Sequence, residues 1–187
     1  MDFDEEIYNG VDYTKSPLPK GRYEYCKFSN CNFSGTNLNE IHFLECVFND
    51  CDFSNVELNR TAFQDVKFQY CKMIGLAFNQ CNSFGFFAEF NGCRLNHSSF
   101  SEMKLNRSVF IDSELEEVDF SEAILTGAKI TDCDLSRAVF EHSNLEKADL
   151  RGSVNYSIDP EVNRVKGCRF SLPDVVGLLN KYGIKID

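Results

Sequence analysis

The stretch YEYCKFSNCNFSGTNLNEIHFLECVFNDCDF, residues 23–53, decides the fold because a large apolar residue returns at every fifth position. This spacing runs without a miss to Phe78, and after a break it resumes from Phe90 to Leu150. The two series are Tyr23, Phe28, Phe33, Leu38, Phe43, Phe48, Phe53, Leu58, Phe63, Phe68, Met73 and Phe78, then Phe90, Leu95, Phe100, Leu105, Phe110, Leu115, Phe120, Leu125, Ile130, Leu135, Phe140, Leu145 and Leu150. Such a repeat is typical of a solenoid, in which each unit packs only on its neighbours.

A mostly small residue stands two positions before each large one, so both positions face the same interior. Examples are Cys26, Cys31, Cys46, Cys51, Cys71, Cys93, Ser98, Ser108, Ala123, Ala128, Cys133, Ala138, Ser143 and Ala148. A strand alternates its faces every two residues and a helix turns about 100° per residue, so neither keeps positions five apart on one side. The pattern therefore predicts a chain that bends after every pentad, with one pentad on each side of a coil.

The distribution of rings and branched chains predicts four sides per coil. Leu38 and Leu58 lie 20 residues apart, and Phe and Leu nearly alternate after Phe90. Like residues stack on like residues in both blocks only when each coil contains four pentads. The predicted columns include Phe28, Phe48, Phe68, Phe90, Phe110, Ile130 and Leu150, and Leu38, Leu58, Phe78, Phe100, Phe120 and Phe140.

The break contains two inserted residues. The interval from Phe78 to Phe90 is 12 residues, whereas one intervening pentad would make it 10, which places the insertion within 81–87. We take Phe84 as the inward residue of this coil, with Gly85 free to adopt positive φ and at least one following ring exposed. The insertion is either a tolerated kink between two half-rods or a contact loop. The possible contact loop comprises Phe84, Gly85, Phe86 and Phe87.

The repeat divides the chain into three segments: an N-terminal cap at 1–22, a β-helix at 23–152 and a C-terminal segment at 153–187. Residues 1–22 break the rhythm and are expected to cover the open end of the solenoid. After Leu150 the repeat stops, and residues 171–183 predict a short helix that has Pro173 in its first turn and ends at Gly183.

The apolar residues of this tail are interpreted either as a lid on the last coil or as a lid that also joins two rods end to end. The predicted dimer interface consists of Leu172, Val175, Val176, Leu179, Tyr182 and Ile184, and Ile186 continues the apolar pattern.

Bulk composition limits the compartment and the partners. The 187 residues contain no apolar run of membrane-spanning length, and the acidic start MDFDEEIYNG lacks a secretory signal, so we expect a soluble, cytoplasmic protein without membrane attachment. Nine cysteines without such a signal predict free thiols. A net charge of −10 argues against nucleic acid as a partner and favours a basic one.

Catalysis and metal binding find no support in the sequence. Eight cysteines occupy the small inward position and are expected to pack as apolar residues, with no CxxC pair. The three histidines lie at outward positions on three different sides, so they cannot share a site. We therefore expect no catalytic residue, no metal site and no cofactor.

Acidic residues are concentrated in the second half of the rod. Residues 101–150 contain twelve acidic residues against five basic ones. On a four-sided coil Glu114, Glu116, Glu117 and Asp134 share one side, and Asp119, Glu122 and Glu141 share the next. This charge either keeps the rod soluble or imitates the charge density of DNA. The candidate partner-binding residues are Glu102, Asp112, Glu114, Glu116, Glu117, Asp119, Glu122, Asp132, Asp134 and Glu141.

The segment Ala148-Asp149-Leu150-Arg151-Gly152 resembles the repeat A(D/N)LXX of the pentapeptide-repeat proteins. This resemblance implies an all-β fold, a right-handed quadrilateral β-helix, here followed by a short C-terminal helix.

Within that family the chain looks like the Qnr quinolone-resistance, MfpA and McbG microcin-immunity group. The similar features are Phe84-Gly85 and Glu89-Phe90 after the break, the tail 158–164, and the ending Tyr182-Gly183-Ile184. The resemblance implies a non-enzymatic DNA mimic that binds DNA gyrase or topoisomerase IV as a C-terminally joined dimer and protects the enzyme from inhibitors. The alternative is a scaffold that binds an unrelated protein.

Overall fold

A computed structural model describes residues 1–185 as a stack of four-sided coils. Its strands are β1 (Asp2–Asp4), β2 (Ile7–Asn9), β3 (Arg22–Glu24), β4 (Lys27–Ser29), β5 (His42–Leu44), β6 (Val47–Asn49), β7 (Ala62–Gln64), β8 (Val66–Gln69), β9 (Ala88–Asn91), β10 (Val109–Ile111) and β11 (Lys129–Thr131). They form two sheets, β1-β3-β5-β7 and β2-β4-β6-β8-β9-β10-β11, in which every pair is parallel. Single parallel bridges complete the remaining sides. The quadrilateral β-helix predicted from the repeat is confirmed.

The four sides are numbered by the central residues of one coil. Side 1 contains Tyr23, side 2 contains Phe28, side 3 contains Phe33 and side 4 contains Leu38. The register pairs Phe28 with Phe48 and keeps the predicted columns intact along the rod.

Rings in the same column stack face to face, whereas rings in neighbouring columns meet edge to face. The Phe28 and Phe48 rings lie 4.7 Å apart at 12°, while the Phe48 and Phe53 rings lie 5.1 Å apart at 81°. Both arrangements are favourable for aromatic quadrupoles, and each pair adds about 0.5–1.5 kcal/mol to the burial term. The core is therefore a continuous block of interlocked rings that needs no cross-links.

The small inward residues satisfy backbone groups as well as filling space. The Cys46 thiol donates to the carbonyl of Tyr23 in the preceding coil at 3.3 Å, and the Ser98 hydroxyl donates to that of Met73 at 2.9 Å. All eight cysteines at these positions are buried and unbridged, while Cys168 is half-buried. Burial raises the pKa of the Cys46 thiol to about 12, so the thiol stays protonated and unreactive at neutral pH.

The bend after each pentad lies two residues beyond the central one, where the backbone is left-handed. Residues with long side chains accept this conformation, among them Glu45 at φ 50°, Arg107 at φ 61° and Lys147 at φ 59°. The sequence does not clearly predict this left-handed conformation, because glycine occupies only some of these corners.

The break lies where the sequence places it, but the inward residue is Phe86. Across it Phe68 pairs with Phe90, 22 residues on, instead of 20 as in the flanking coils. The side chain of Phe84 is 80% exposed, so the prediction that it points inward is wrong, and Phe86 is 8% exposed. Phe86 fills the column by contacting the rings of Phe63 and Phe78 at centroid distances of 6.4 and 6.5 Å.

Residues 1–22 are a regular coil and do not break the rhythm, which corrects the boundary expected at residue 23. Phe3 stacks on Tyr23 at 4.4 Å, and Tyr8 stacks on Phe28 at 4.6 Å. The five-residue spacing extends back to Phe3, and Pro17 is accommodated because it lies outside the strands.

The coil also continues beyond Leu150, where the sequence indicates a stop. Parallel bridges join Asn144 to Arg164 and Asp149 to Arg169, and the side chain of Asn163 takes the small inward position. Its Oδ1 accepts a hydrogen bond from the Ser143 amide at 2.7 Å, so an amide replaces the usual small residue.

The predicted C-terminal helix is two short 3-10 segments, Asp174–Leu178 and Asn180–Tyr182, and not an α-helix. The segment closes on the last coil at Gly177, where a Cβ atom would lie 2.2 Å from the Tyr156 carbonyl oxygen. Gly183 ends it in the left-handed conformation, as predicted, and Ile186 lies outside the described residues. Within residues 1–185 no helix has the length and apolar character of a membrane span.

Candidate partner-binding surface

The predicted acidic residues lie on sides 3 and 4 and at the corners beside them. The bridge register places Glu114 and Asp134 on successive coils of side 3, and it places Asp119 on side 4. Glu117 turns the corner between these sides, while Asp112 and Asp132 turn the corner between sides 2 and 3. Glu102 and Glu122 turn the corner between sides 4 and 1, and Glu141 lies on side 4. The predicted sharing of sides agrees with this register.

Glu114, Glu116 and Glu117, on side 3 and its corner with side 4, form ion pairs with bases from neighbouring coils. Arg94 Nε lies 3.1 Å from a carboxylate oxygen of Glu114. Arg137 bridges Glu116 and Glu117, and His97 Nδ1 lies 3.0 Å from Glu117. The Arg137 guanidinium holds the pKa of Glu117 below its ordinary value.

These bases lie 20 or 21 residues from their acids in the chain, one coil away. The composition of residues 101–150 does not reveal these ion pairs, but the four-sided register places the bases beside the acids.

Side 4 and two corners carry carboxylates without a basic partner. Four of these carboxylates lie on side 4 and its corner with side 1, and we call them the acidic strip: Glu102, Asp119, Glu122 and Glu141. Within residues 1–185, no Lys, Arg or His nitrogen lies within 4.0 Å of any of them. Asp112 and Asp132, at the corner between sides 2 and 3, are unpaired in the same sense. So is Asp134 on side 3, which accepts hydrogen bonds from Ser136 and Asn155.

Carboxylates on successive coils of the acidic strip repel each other. Glu102 and Glu122 occupy the same corner one coil apart, and the Glu102 amide donates to the carbonyl of Ser121 at 2.9 Å. Stacked strands lie about 4.8 Å apart, and like charges directly opposite each other destabilise a sheet. This arrangement therefore does not stabilise the fold.

The insertion presents one exposed aromatic ring. The Phe84 amide is held by Asn82 Oδ1 at 3.0 Å, and its carbonyl accepts a bond from Gln64 Nε2 at 3.3 Å. Gly85, at φ 68°, then turns the chain back to the buried Phe86. Phe87 is half-buried, so Phe84 is the ring of the predicted contact loop that projects into solvent.

The C-terminal end exposes the second apolar surface. Five of the six predicted interface residues are exposed there, namely Leu172, Val176, Leu179, Tyr182 and Ile184, and Val175 is half-buried. The segment is tied down by Lys181, whose Nζ lies 2.7 Å from Asp159, and by the Tyr182 hydroxyl, which donates to Glu161 at 2.8 Å. The C-terminal end therefore presents exposed apolar side chains on a segment that side-chain contacts hold in place.

These features define a class of protein: a filled four-sided solenoid whose distinctive groups are displayed on its outer surface and at its ends. The family described as pentapeptide repeat region matches residues 22–85 and 77–150, and the chain belongs to that family.

Two solved structures with this fold are trypsin-treated variants of QnrB1, a plasmid-mediated fluoroquinolone resistance protein. The first is 18% identical with a TM-score of 0.60 and covers 100% of both chains. The second is 18% identical with a TM-score of 0.58, and the match covers 97% of this chain and 99% of that one. No curated protein sequence matches the chain. The fold therefore resembles that of a Qnr protein.

Proposed function

We propose that this protein is a non-enzymatic DNA mimic that binds a type II topoisomerase, DNA gyrase or topoisomerase IV, and protects it from inhibitors. The observation that carries the proposal is the acidic strip. Its four carboxylates are exposed or half-exposed, lack basic partners, and follow the coil repeat along one side of a rigid rod.

The geometry of the strip suits a protein groove that normally holds DNA. Coils stack at about 4.8 Å, and each strand of a DNA duplex carries one phosphate per about 3.4 Å of axis. A basic groove would therefore meet a regular row of negative charge of comparable spacing. Electrostatic complementarity of this kind chiefly raises the association rate and selects the partner.

The two apolar surfaces fit the same proposal in different ways. The C-terminal end would join two rods into a longer dimer through Leu172, Val176 and Leu179, which also removes these side chains from water. The Phe84 ring would give the partner an uncharged anchor, since aromatic residues are common energetic centres of interfaces. Both roles are part of the proposal.

A binding experiment with purified gyrase tests the acidic strip. The test variant carries Glu102→Gln, Asp119→Asn, Glu122→Gln and Glu141→Gln. The matched control carries Glu5→Gln, Glu45→Gln, Asp50→Asn and Asp65→Asn, four corner acids of the first half that form no ion pair within the described chain. Both variants change the net charge equally, so only the position of the charge differs.

The test variant should lose at least about tenfold in gyrase affinity and in competition with DNA, while the control should stay within about threefold. A parallel assay should show less protection of gyrase against quinolone-stimulated DNA cleavage. The proposal fails if wild-type protein does not associate with gyrase at low salt, or if it binds without displacing DNA.

Phe84 supports a second candidate function, a scaffold for an unrelated protein. In that case Phe84→Ala should abolish capture of the partner while the strip variant retains it. The proposed DNA mimic predicts the opposite ranking, with the strip variant the weaker binder.

A further inference from the structure

The protein also carries a basic surface, although its net charge is negative. Six Lys and Arg side chains lie at or beside the corner between sides 1 and 2 in the C-terminal half. None of the six forms an ion pair within residues 1–185. They are Lys104, Arg107, Lys129, Lys147, Lys166 and Arg169, and we call them the basic edge.

The coil register brings these residues together from distant parts of the sequence. Asp149 pairs with Lys129 on one side and with Arg169 on the other, so the two bases flank it on adjacent coils of side 2. The Lys147 amide donates to the Lys166 carbonyl at 3.0 Å, which places Lys147, at the corner, next to Lys166 on side 1 of the following coil.

The carboxylates within the basic edge are already neutralised. Glu146 lies 2.9 Å from Arg164, and Asp149 lies 2.7 Å from Arg151. The Arg151 guanidinium lowers the pKa of Asp149, and Arg169 adds to the effect, so this carboxyl stays ionised and paired. The six bases of the edge form no ion pair themselves, although the carboxylate of Asp149 lies between Lys129 and Arg169.

Two corner glycines open the surface around Lys147. Gly127 and Gly167, at φ 66° and 74°, occupy the same corner on the coils before and after it. Because they have no side chains, a shallow cleft of about 460 Å³ lies between Lys129, Lys147 and Arg169. Three bases therefore line the cleft, together with Asp149, which is paired with Arg151.

The composition of the edge identifies the kind of partner. None of the exposed large apolar side chains of the described residues lies on the basic edge. Stable protein interfaces need a buried apolar or aromatic centre, whereas a phosphate backbone is held mainly by Lys and Arg through counterion release. We propose that the basic edge binds the sugar-phosphate backbone of a nucleic acid strand.

The dimensions and the screening length are compatible with this partner. The edge spans three coil steps, roughly 14 Å, along which one DNA strand places about four phosphates. From the corner that holds Arg107 and Lys147, the unpaired acids at the two neighbouring corners lie one side of the coil away, roughly 10 Å. This distance is about one Debye length at 0.1 M salt, so their repulsion at that corner is partly screened. Glu102 lies nearer to Lys104, and Asp132 lies nearer to Lys129. The net charge of −10 therefore does not describe the field at this edge.

The test uses the full-length protein and a fluorescent 20-nucleotide oligothymidine, with a 20-base-pair duplex as a second probe. The test variant carries Lys129→Glu, Lys147→Glu and Arg169→Glu. The matched control carries Lys15→Glu, Lys27→Glu and Lys67→Glu, which make the same change of net charge at the other end of the rod. A Gln version of the test variant separates loss of contacts from charge reversal, and thermal melting checks that every variant is folded.

Wild-type protein should bind the single strand with a log–log salt slope no steeper than about −4, because six bases contribute about −0.7 each. The test variant should lose at least about tenfold in affinity, its Gln version at least about threefold, and the control less than twofold.

Three outcomes overturn the proposal: no wild-type binding at 25 mM salt, equal losses in the test and control variants, or a poly-glutamate peptide that binds more tightly than the oligonucleotide. The last outcome would assign the edge to an acidic protein segment. No topoisomerase is present, so failure here leaves the proposed function of the acidic strip untouched.

Discussion

Replacement of Phe110 by alanine should remove a large part of the stability of the rod. Phe110 is fully buried, stacks on Phe90 at 4.9 Å, and meets the edges of Phe100 and Phe120 at 5.5 and 5.8 Å. Truncation of a buried Phe to Ala costs about 3–5 kcal/mol through lost transfer free energy and the cavity that remains. The neighbouring coils cannot collapse into that cavity without breaking their backbone register, so we expect the upper half of this range.

Phe110→Leu is the matched control, because the next residue of the column, Ile130, is already branched and aliphatic. Leucine fills most of the space and loses mainly the three ring contacts, so the expected loss is about 1–2 kcal/mol. Urea unfolding followed by circular dichroism measures both values.

With a slope near 2 kcal/mol per molar urea, Ala should lower the midpoint by about 2 M and Leu by less than about 1 M. The packing argument is refuted if the two variants unfold together, or if Ala costs less than about 1.5 kcal/mol at an unchanged slope.

Three further predictions concern the corners, the thiols and one surface ion pair. Asp50→Gly should be about 1 kcal/mol more stable than Asp50→Ala, because φ is 53° at this exposed corner and alanine is strained there; equal midpoints in urea would contradict this cost. In the native protein a thiol reagent should modify at most Cys168 rapidly, and all nine cysteines should react once urea unfolds the chain; fast native reaction of Cys46 would show that the coils open. Arg137→Gln should raise the pKa of Glu117 toward its ordinary value, since the guanidinium lowers that pKa. A lowered folded pKa stabilises the fold above the unfolded pKa, and this contribution is lost as the pH falls through the folded value, so the variant should lose less stability on acidification. Carboxyl titration by NMR measures the pKa, and an unchanged value would exclude Arg137 as the cause.

Much of the candidate surface can be placed from the sequence once the coil has four sides. The shared side of Glu114 and Asp134 follows from their separation of 20 residues, because that number returns the chain to the same side. The pairing of Glu117 with Arg137 has the same separation. A count of acidic residues does not predict this pair, because the count leaves out the bases on the neighbouring coils.

Other features could not be predicted because they depend on how the coil closes. The spacing fixes the size of the insertion but not its path, and Phe84, Phe86 and Phe87 are equally apolar in sequence. In the structure Phe86 lies against Phe63 and Phe78, and the backbone after it pairs with the preceding coil from Ala88 onward.

By itself the sequence determined the four-sided solenoid, its columns and the position of its break, because a large inward residue recurs at every fifth position. The spacing of five also runs back to Phe3 in the sequence, whereas the tertiary structure alone decided that the stretch after Leu150 belongs to the same coil and that the tail is 3-10 and not α-helical. It also decided which charges remain unpaired. Whether a charged side chain forms an ion pair depends on its distance from side chains on neighbouring coils. The net charge of the sequence gives no information about these distances. For this reason a protein of net charge −10 carries both an acidic strip and a basic edge.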